Sequence, residues 1–367
     1  MHTNTTSSLS IKGKGFLFKS LAQHKFFVRI LKLTLVIVLG AILYHQIFGR
    51  EDLTLQKLGV EFWQHLSWKK VPLLMLVLVL MPLNWFFETQ KWLALMRKIE
   101  SISFFQALKV VLIGLSCSLF TPNRVGEYGG RVMMVSPQNR LLAIWATMVG
   151  ISSQWIVLVV GGWWGLMGAF YGGLIPIHEA LLSSLILVGG VASSCLLGIY
   201  FNLRKIVPYS MKFKWTRNWA MKMQRSSFDY YNNKELIEAL GYSITRYWIY
   251  SSQYVCLLFF FGFDANILSA FLGVIIVYLL QTGIPLPPST GLLARGNIAV
   301  LILGYLTVKE DASMAILSAT FSLWMINVVL PSVVGAFLIA RLGWNEKEAE
   351  SEEQMPVTSS RECTIQP

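Results

Sequence analysis

The sequence predicts an all-α polytopic integral membrane protein with about six full spans and two broken or re-entrant helical hairpins, and three observations predict it. Of 367 residues, 54% are apolar or aromatic and 14% carry charge, where a soluble domain carries about 25%. The mean hydropathy is +0.55, so a core of this length could not hide the apolar surface from water. Apolar runs also recur at lengths near the roughly 20 residues that a helix needs to cross about 30 Å of hydrocarbon. The formal net charge of +12 would suggest nucleic acid in a soluble chain, but in lipid it is first a statement of topology, so nucleic acid is not an expected partner.

The first segment, 1–32, carries Lys12, Lys14, Lys19, Lys25, Arg29 and Lys32 without an acid, which places the N-terminus in the cytoplasm. No small-residue cleavage site follows it, so the run 33–48 reads as a retained anchor rather than a signal peptide. The first transmembrane half, 33–201, contains further runs at 71–93, 141–170 and 179–201, with a broken segment at 104–140. The loop after Phe48 is mixed in sign and fits the outside, and Lys91, Arg97 and Lys98 return the chain inside. A basic loop at 202–239, from Arg204 to Lys234, is cytoplasmic by the same rule. The second half, 240–341, holds runs at 240–261 and 314–340 around a broken segment at 265–306. The acidic stretch 342–367 reads as a disordered cytoplasmic tail.

Parity makes the broken segments informative. For 179–201 to end inside, the run from Leu141 must start inside, so 104–140 leaves the cytoplasm and comes back. Its return leg holds Arg124, Glu127, Arg131, Gly126, Gly129 and Gly130, whose backbone and charges lipid cannot satisfy. A re-entrant hairpin buried in protein is the expected solution. The segment 265–306 begins and ends outside and is interrupted by a Pro-rich break at 283–291. One broken segment entering from each face is the pattern of an inverted repeat, although two full spans in 265–306 would give the same parity.

The chemistry concentrates in these breaks. Thr121, Arg124, Gly126, Glu127 and Arg131 lie where the chain turns inside the membrane, and ionisable groups at that depth usually face a polar cavity. Glycines admit an anion to backbone N–H groups, and arginine offers planar bidentate donors to phosphate. The bland reading is that Glu127 and one arginine pair to pin the hairpin. Arg295, with Ser289, Thr290 and Asn297 nearby, could complete an anion site from the second break or could snorkel to a headgroup. Asn84, Glu88, Lys91 and Trp92 share one helical face, where a Glu88–Lys91 pair or a bond to Arg246 points to a supporting structural role.

Other chemistry finds little footing. The histidines His2, His24, His45, His65 and His178 lack ligand spacing, so neither a metal nor another cofactor is expected. There is no Walker sequence and no GxGxxG. Cys117, Cys195, Cys256 and Cys363 offer neither a disulfide framework nor a CxxC pair, and Cys363 fails the prenylation pattern.

Three stretches bear a family resemblance: Asn84-Trp-x-x-Glu88-x-x-Lys91-Trp92, Thr121-Pro-x-Arg124-Val-Gly126-Glu127-x-x-Gly130-Arg131, and the Pro-rich break leading to Arg295. There the sequence resembles the lysylphosphatidylglycerol synthase transmembrane-region family of flippase-like membrane proteins, over roughly residues 33–340. The resemblance implies a domain in the bacterial inner membrane that handles lipid or lipid-linked substrates, in some members translocating an aminoacylated phospholipid made by a separate transferase domain. This sequence departs from the family where Ser289 and Thr290 stand at glycine positions and Arg295 stands where an acid is expected. The stretch after the last span is too short for a transferase domain, so any aminoacyl-lipid is expected from a separate soluble or membrane transferase.

The leading expectation is lipid transport: Arg124 and Arg131 hold an anionic phospholipid or lipid-linked headgroup, and Arg295 receives it. The alternative is a membrane-embedded transferase acting on a phospholipid or polyprenyl-phosphate, with Glu127 as general base and Asp264 as the other acid. A third reading is a scaffold that docks a cytoplasmic partner through the basic loop, whose plainer role is to set orientation and touch anionic lipid.

Overall fold

The computed structural model describes residues 55–119, 121, 124–174, 179–203, 231–282, 292–307 and 312–353. The segment 1–32, the run 33–48, the loop residues 204–230, the break 283–291 with Ser289 and Thr290, and the tail beyond 353 lie outside them. Among the described residues all regular structure is helical. In chain order the α-helices are α1 (Leu55–His65), α2 (Val71–Met96), α3 (Phe104–Ser118), α4 (Val125–Val132), α5 (Arg140–Tyr171) and α6 (Glu179–Phe201). They continue as α7 (Asn233–Phe260), α8 (Ile267–Thr282), α9 (Leu292–Leu303), α10 (Ser313–Trp324) and α11 (Leu330–Glu353), the last two joined by a π-helical turn over Met325–Val329.

Among the described residues four helices are long and apolar enough to cross a membrane: Val71–Met96, Pro137–Tyr171, Ser183–Phe201 and Ser313–Arg341. They coincide with the runs expected at 71–93, 141–170, 179–201 and 314–340. The run 240–261 is also helical, as α7, but is not one of the four. Arg246, Gln253 and several serines and tyrosines lower its hydropathy, and the buried ones among them face protein rather than lipid.

Local signals set the helix starts. Ser103 caps α3 in a capping box: its hydroxyl accepts from the Gln106 N–H and the Gln106 carbonyl accepts from the Ser103 N–H, at 3.4 and 3.2 Å. Asn232 and Glu235 form the same device before α7, with the Asn232 N–H 2.8 Å from the Glu235 carboxylate. Pro72 sits in the first turn of α2, where its missing N–H is harmless.

Both broken segments are antiparallel pairs of short helices. α3 and α4 have 15 and 8 residues, roughly 22 and 12 Å at 1.5 Å per residue, and neither spans about 30 Å alone. α8 and α9 have 16 and 12 residues, and Gln281 on one donates to the Arg295 carbonyl on the other at 3.3 Å.

Among the described residues, 55–335 belong to one compact unit and 336–353 to a second, which is helical. The stretch expected to be disordered from 342 is therefore helix as far as Glu353, in keeping with its run of Glu, Lys and Ala, which are strong helix formers.

Within the larger unit α2 and α7 are the central pair. They run antiparallel along their whole length: Lys70 donates to the Phe260 carbonyl at one end (2.7 Å), Gln253 to the Val77 carbonyl (2.9 Å), and Lys98 pairs with Glu235 at the other (2.6 Å). One buried cluster gathers α7, α8 and α10, and another gathers α2, α3 and α5. Where lipid supplies no hydrophobic drive, close approach depends on small residues. At Gly162 and Gly165 of α5 a methyl group would collide with Leu279 and Ile275 of α8.

Candidate functional site

The hairpin of α3 and α4 is shaped by glycine. A Cβ at Gly126 would run into the Cys117 carbonyl, and one at Gly130 would lie 2.7 Å from the Gly114 Cα, so side chains larger than hydrogen would push the legs apart. The Thr121 hydroxyl accepts from the Gly126 N–H at 2.8 Å and so satisfies a donor of the first turn of α4. Arg124, at the N-cap, has φ 58 and is the only non-glycine residue with positive φ among the described residues. That left-handed conformation is costly for a side-chain-bearing residue and tends to occur at functional sites. It turns the Arg124 side chain toward Glu127, 3.1 Å away, while leaving it half exposed.

Arg131 points the other way. Its stem lies over Gly114, and its guanidinium donates to Glu127 and to Glu88, the latter at 2.6 Å. Glu88 stands about two thirds of the way along α2 and also receives Lys91 at 2.8 Å and Arg246 of α7. The face carrying Asn84, Glu88 and Lys91 is therefore buried, with exposures of 2%, 5% and 2%. Amide groups complete the net: Arg246 donates to Asn84 Oδ1 (2.9 Å) and to Gln154 Oε1 (2.7 Å), Lys91 donates to Gln154 (3.1 Å), and Asn84 Nδ2 donates to Asn327 Oδ1 (3.1 Å). Trp92 and Trp85 lie beneath the Arg131 and Arg246 guanidiniums at 6.0 and 5.8 Å, within cation–π range.

This network walls a cavity of about 280 Å³. Lys91, Arg124, Arg246 and Arg295 line it against Glu88 and Glu127, so the lining carries 4 − 2 = +2. Its remaining wall mixes uncharged polar groups with rings, among them Gln154, Trp155, Tyr247, Tyr250, Tyr278 and Gln281. Ile151, Gln154, Trp155 and Leu158 reach it from α5 at i, i+3, i+4 and i+7. Asn327 and Val328 reach it from the π-helical turn, a distortion frequent at functional sites.

The structure thus divides the expected site residues. Arg124, Glu127 and Arg295 line the cavity together with Asn84, Glu88, Lys91 and Arg246. Thr121, Gly126 and Arg131 do not; they cap, pack and tie the hairpin. Both the Glu88–Lys91 pair and the bond to Arg246 are present. Among the described residues no carboxylate or hydrogen-bond partner engages the Arg295 guanidinium. Asp264 is not part of the lining; its carbonyl accepts from the Thr307 hydroxyl at 3.0 Å. Sequence reasoning missed Gln154, Tyr247 and Asn327. The helical spacing around Gln154 was a usable signal, whereas nothing in the local sequence sets Tyr247 or Asn327 apart.

Among the described residues no group of three or more His, Cys, Asp or Glu side chains is placed to hold a metal ion. No family model, curated protein or solved structure matches the chain.

Proposed function

We propose that this chain is a flippase-like protein of the lysylphosphatidylglycerol synthase transmembrane-region type, set in a bacterial cytoplasmic membrane with both termini inside, that binds an anionic lipid or lipid-linked substrate and translocates it. The observation that carries the reading is the excess of cations over carboxylates around a cavity in a chain built largely of apolar helices. A cleft lined by an excess of one sign of charge concentrates counter-ions, and an anionic headgroup would neutralise it. The two helical hairpins, each broken near its charged residues, support alternating access to such a site. The transferase alternative would need Glu127 free to take a proton, and both of its oxygens lie against arginines.

The test separates binding residues from tying residues. In liposomes holding a fluorescent phosphatidylglycerol, the wild-type protein is expected to accelerate exchange between leaflets, and Arg124→Gln with Arg295→Gln is expected to abolish it with little change in melting temperature. Unchanged exchange in that variant would refute the role. Arg131→Gln is a poor probe, because it also releases Glu88 and Glu127.

A further inference from the structure

Five of the charges gathered beside the cavity are buried: Lys91, Arg131 and Arg246 against Glu88 and Glu127. Three cations against two carboxylates leave one positive charge in excess. Lys91 stands at the centre of this imbalance. On its own helix it meets Glu88, an acid it shares with Arg246 of α7 and Arg131 of α4, and Glu127 of α4 lies behind Arg131. From α5 it meets Gln154, and a Cβ at Gly150 would touch its stem, so that helix offers it no countercharge.

Of the three buried cations only Lys91 can shed its charge. A guanidinium stays protonated in proteins, whereas a buried lysine exchanges its proton readily. The donor count accommodates both states. A neutral amine has two N–H groups, and two acceptors are in place, Glu88 Oε2 at 2.8 Å and Gln154 Oε1 at 3.1 Å. An ammonium has three N–H groups, and among the described residues Lys91 has no third acceptor. Because Lys91 lines the cavity, the third N–H is left to whatever fills that space.

We infer that Lys91 is a proton site coupled to occupancy of the cavity: an empty cavity favours the amine, and entry of an anion drives Nζ to take up a proton. One N–H bond forms at the Nζ lone pair, the proton comes from cavity water, and the anion compensates the new cation. Departure of the anion reverses the step. The inference rests on the proposed binding of an anionic lipid here and adds an ion to it, since each headgroup that enters brings up to one proton with it. Linkage is reciprocal, so acid strengthens binding and alkali weakens it.

The test is calorimetry of the full chain in maltoside micelles, titrated with phosphatidylglycerol in two buffers of different ionisation enthalpy. Proton uptake is expected to grow from about pH 7 toward one proton per lipid at about pH 9. Affinity should fall about tenfold over the same range, the size of one hydrogen bond to a charged group. Lys91→Arg keeps the charge without the titration, and Lys91→Gln removes both. Neither variant should take up a proton; wild-type affinity should match Lys91→Arg at the acid end and approach Lys91→Gln at the alkaline end. Melting curves establish that the variants are folded, and should either fail to fold, the proton count on the wild type decides by itself. Glycerophosphoglycerol, the same diester without acyl chains, is the second ligand: uptake with it assigns the coupling to the phosphate anion, and uptake with phosphatidylglycerol alone assigns it to the lipid.

Binding that is flat with pH and takes up no proton overturns the inference and leaves lipid binding standing. Uptake that persists in Lys91→Arg also overturns it, because the proton then sits elsewhere. Absence of binding at every pH sinks the lipid reading itself.

Discussion

Glu88 meets three cations, Lys91, Arg131 and Arg246, that come from α2, α4 and α7. Removing one partner from such a buried net leaves the others without compensation, a change that typically costs about 3–5 kcal/mol. Glu88→Gln is therefore expected to lower thermal stability sharply in detergent, and a melting curve within a degree of wild type would contradict the account. Arg124 differs because its guanidinium is 44% exposed and has one carboxylate partner. Arg124→Gly removes that side chain and the positive-φ penalty together, so unfolding is expected to change by less than about 1 kcal/mol while phosphatidylglycerol retention falls. Stability and binding thus separate at two residues, Glu88 and Arg124.

At the scale of elements, the hairpin of α3 and α4 stands or falls on close contact. Gly130→Ala places a methyl 2.7 Å from the Gly114 backbone, and overpacking of this kind costs about 1–3 kcal/mol. The expected readouts are faster proteolysis between the two helices and weaker lipid retention, because Arg124 and Glu127 move with α4. The start of α7 offers a pH test outside the membrane-spanning runs. Burial pushes the Glu235 carboxyl up, but Lys98 and the N–H groups of Asn232 and Glu235 outweigh it and hold the carboxyl below its ordinary value. A depressed carboxylate stabilises the fold above its unfolded value of about 4.3 and loses that contribution as pH falls through the lower, folded value. Hydrogen exchange at the first turn of α7 should therefore accelerate below about pH 4, and less steeply in Lys98→Ala.

For the whole molecule the decisive property is how the two hairpins are disposed across the bilayer. With Cys117, Cys195, Cys256 and Cys363 replaced, single cysteines at 121–131 and 283–295 should react with an impermeant maleimide from opposite faces if the hairpins are inverted. Labelling of both from one face would remove alternating access from the proposal. Bound lipid should also raise the melting temperature of the entire chain, since a ligand at one hundred times its dissociation constant adds about 2.7 kcal/mol. Arg124→Gln with Arg295→Gln should abolish that shift for phosphatidylglycerol.

Composition, with 54% apolar and only 14% charged residues, pointed to lipid as the solvent. Run length placed the four helices that, among the described residues, are long and apolar enough to cross a membrane, and helical spacing put Asn84, Glu88 and Lys91 on one face. These are local properties, carried by residues within a turn or two of one another. Tertiary structure decided the pairing: Arg246 meets Glu88 across 158 positions, Asn84 meets Asn327 across 243, and Arg131 is drawn out of the cavity lining to tie α4 to α2. It likewise brought Tyr247, unremarkable in its own helix, into the cavity lining opposite α5. Period and hydropathy report which face of a helix is buried; which helix buries it depends on shape and charge matched between distant segments, and that match exists only once the chain is folded.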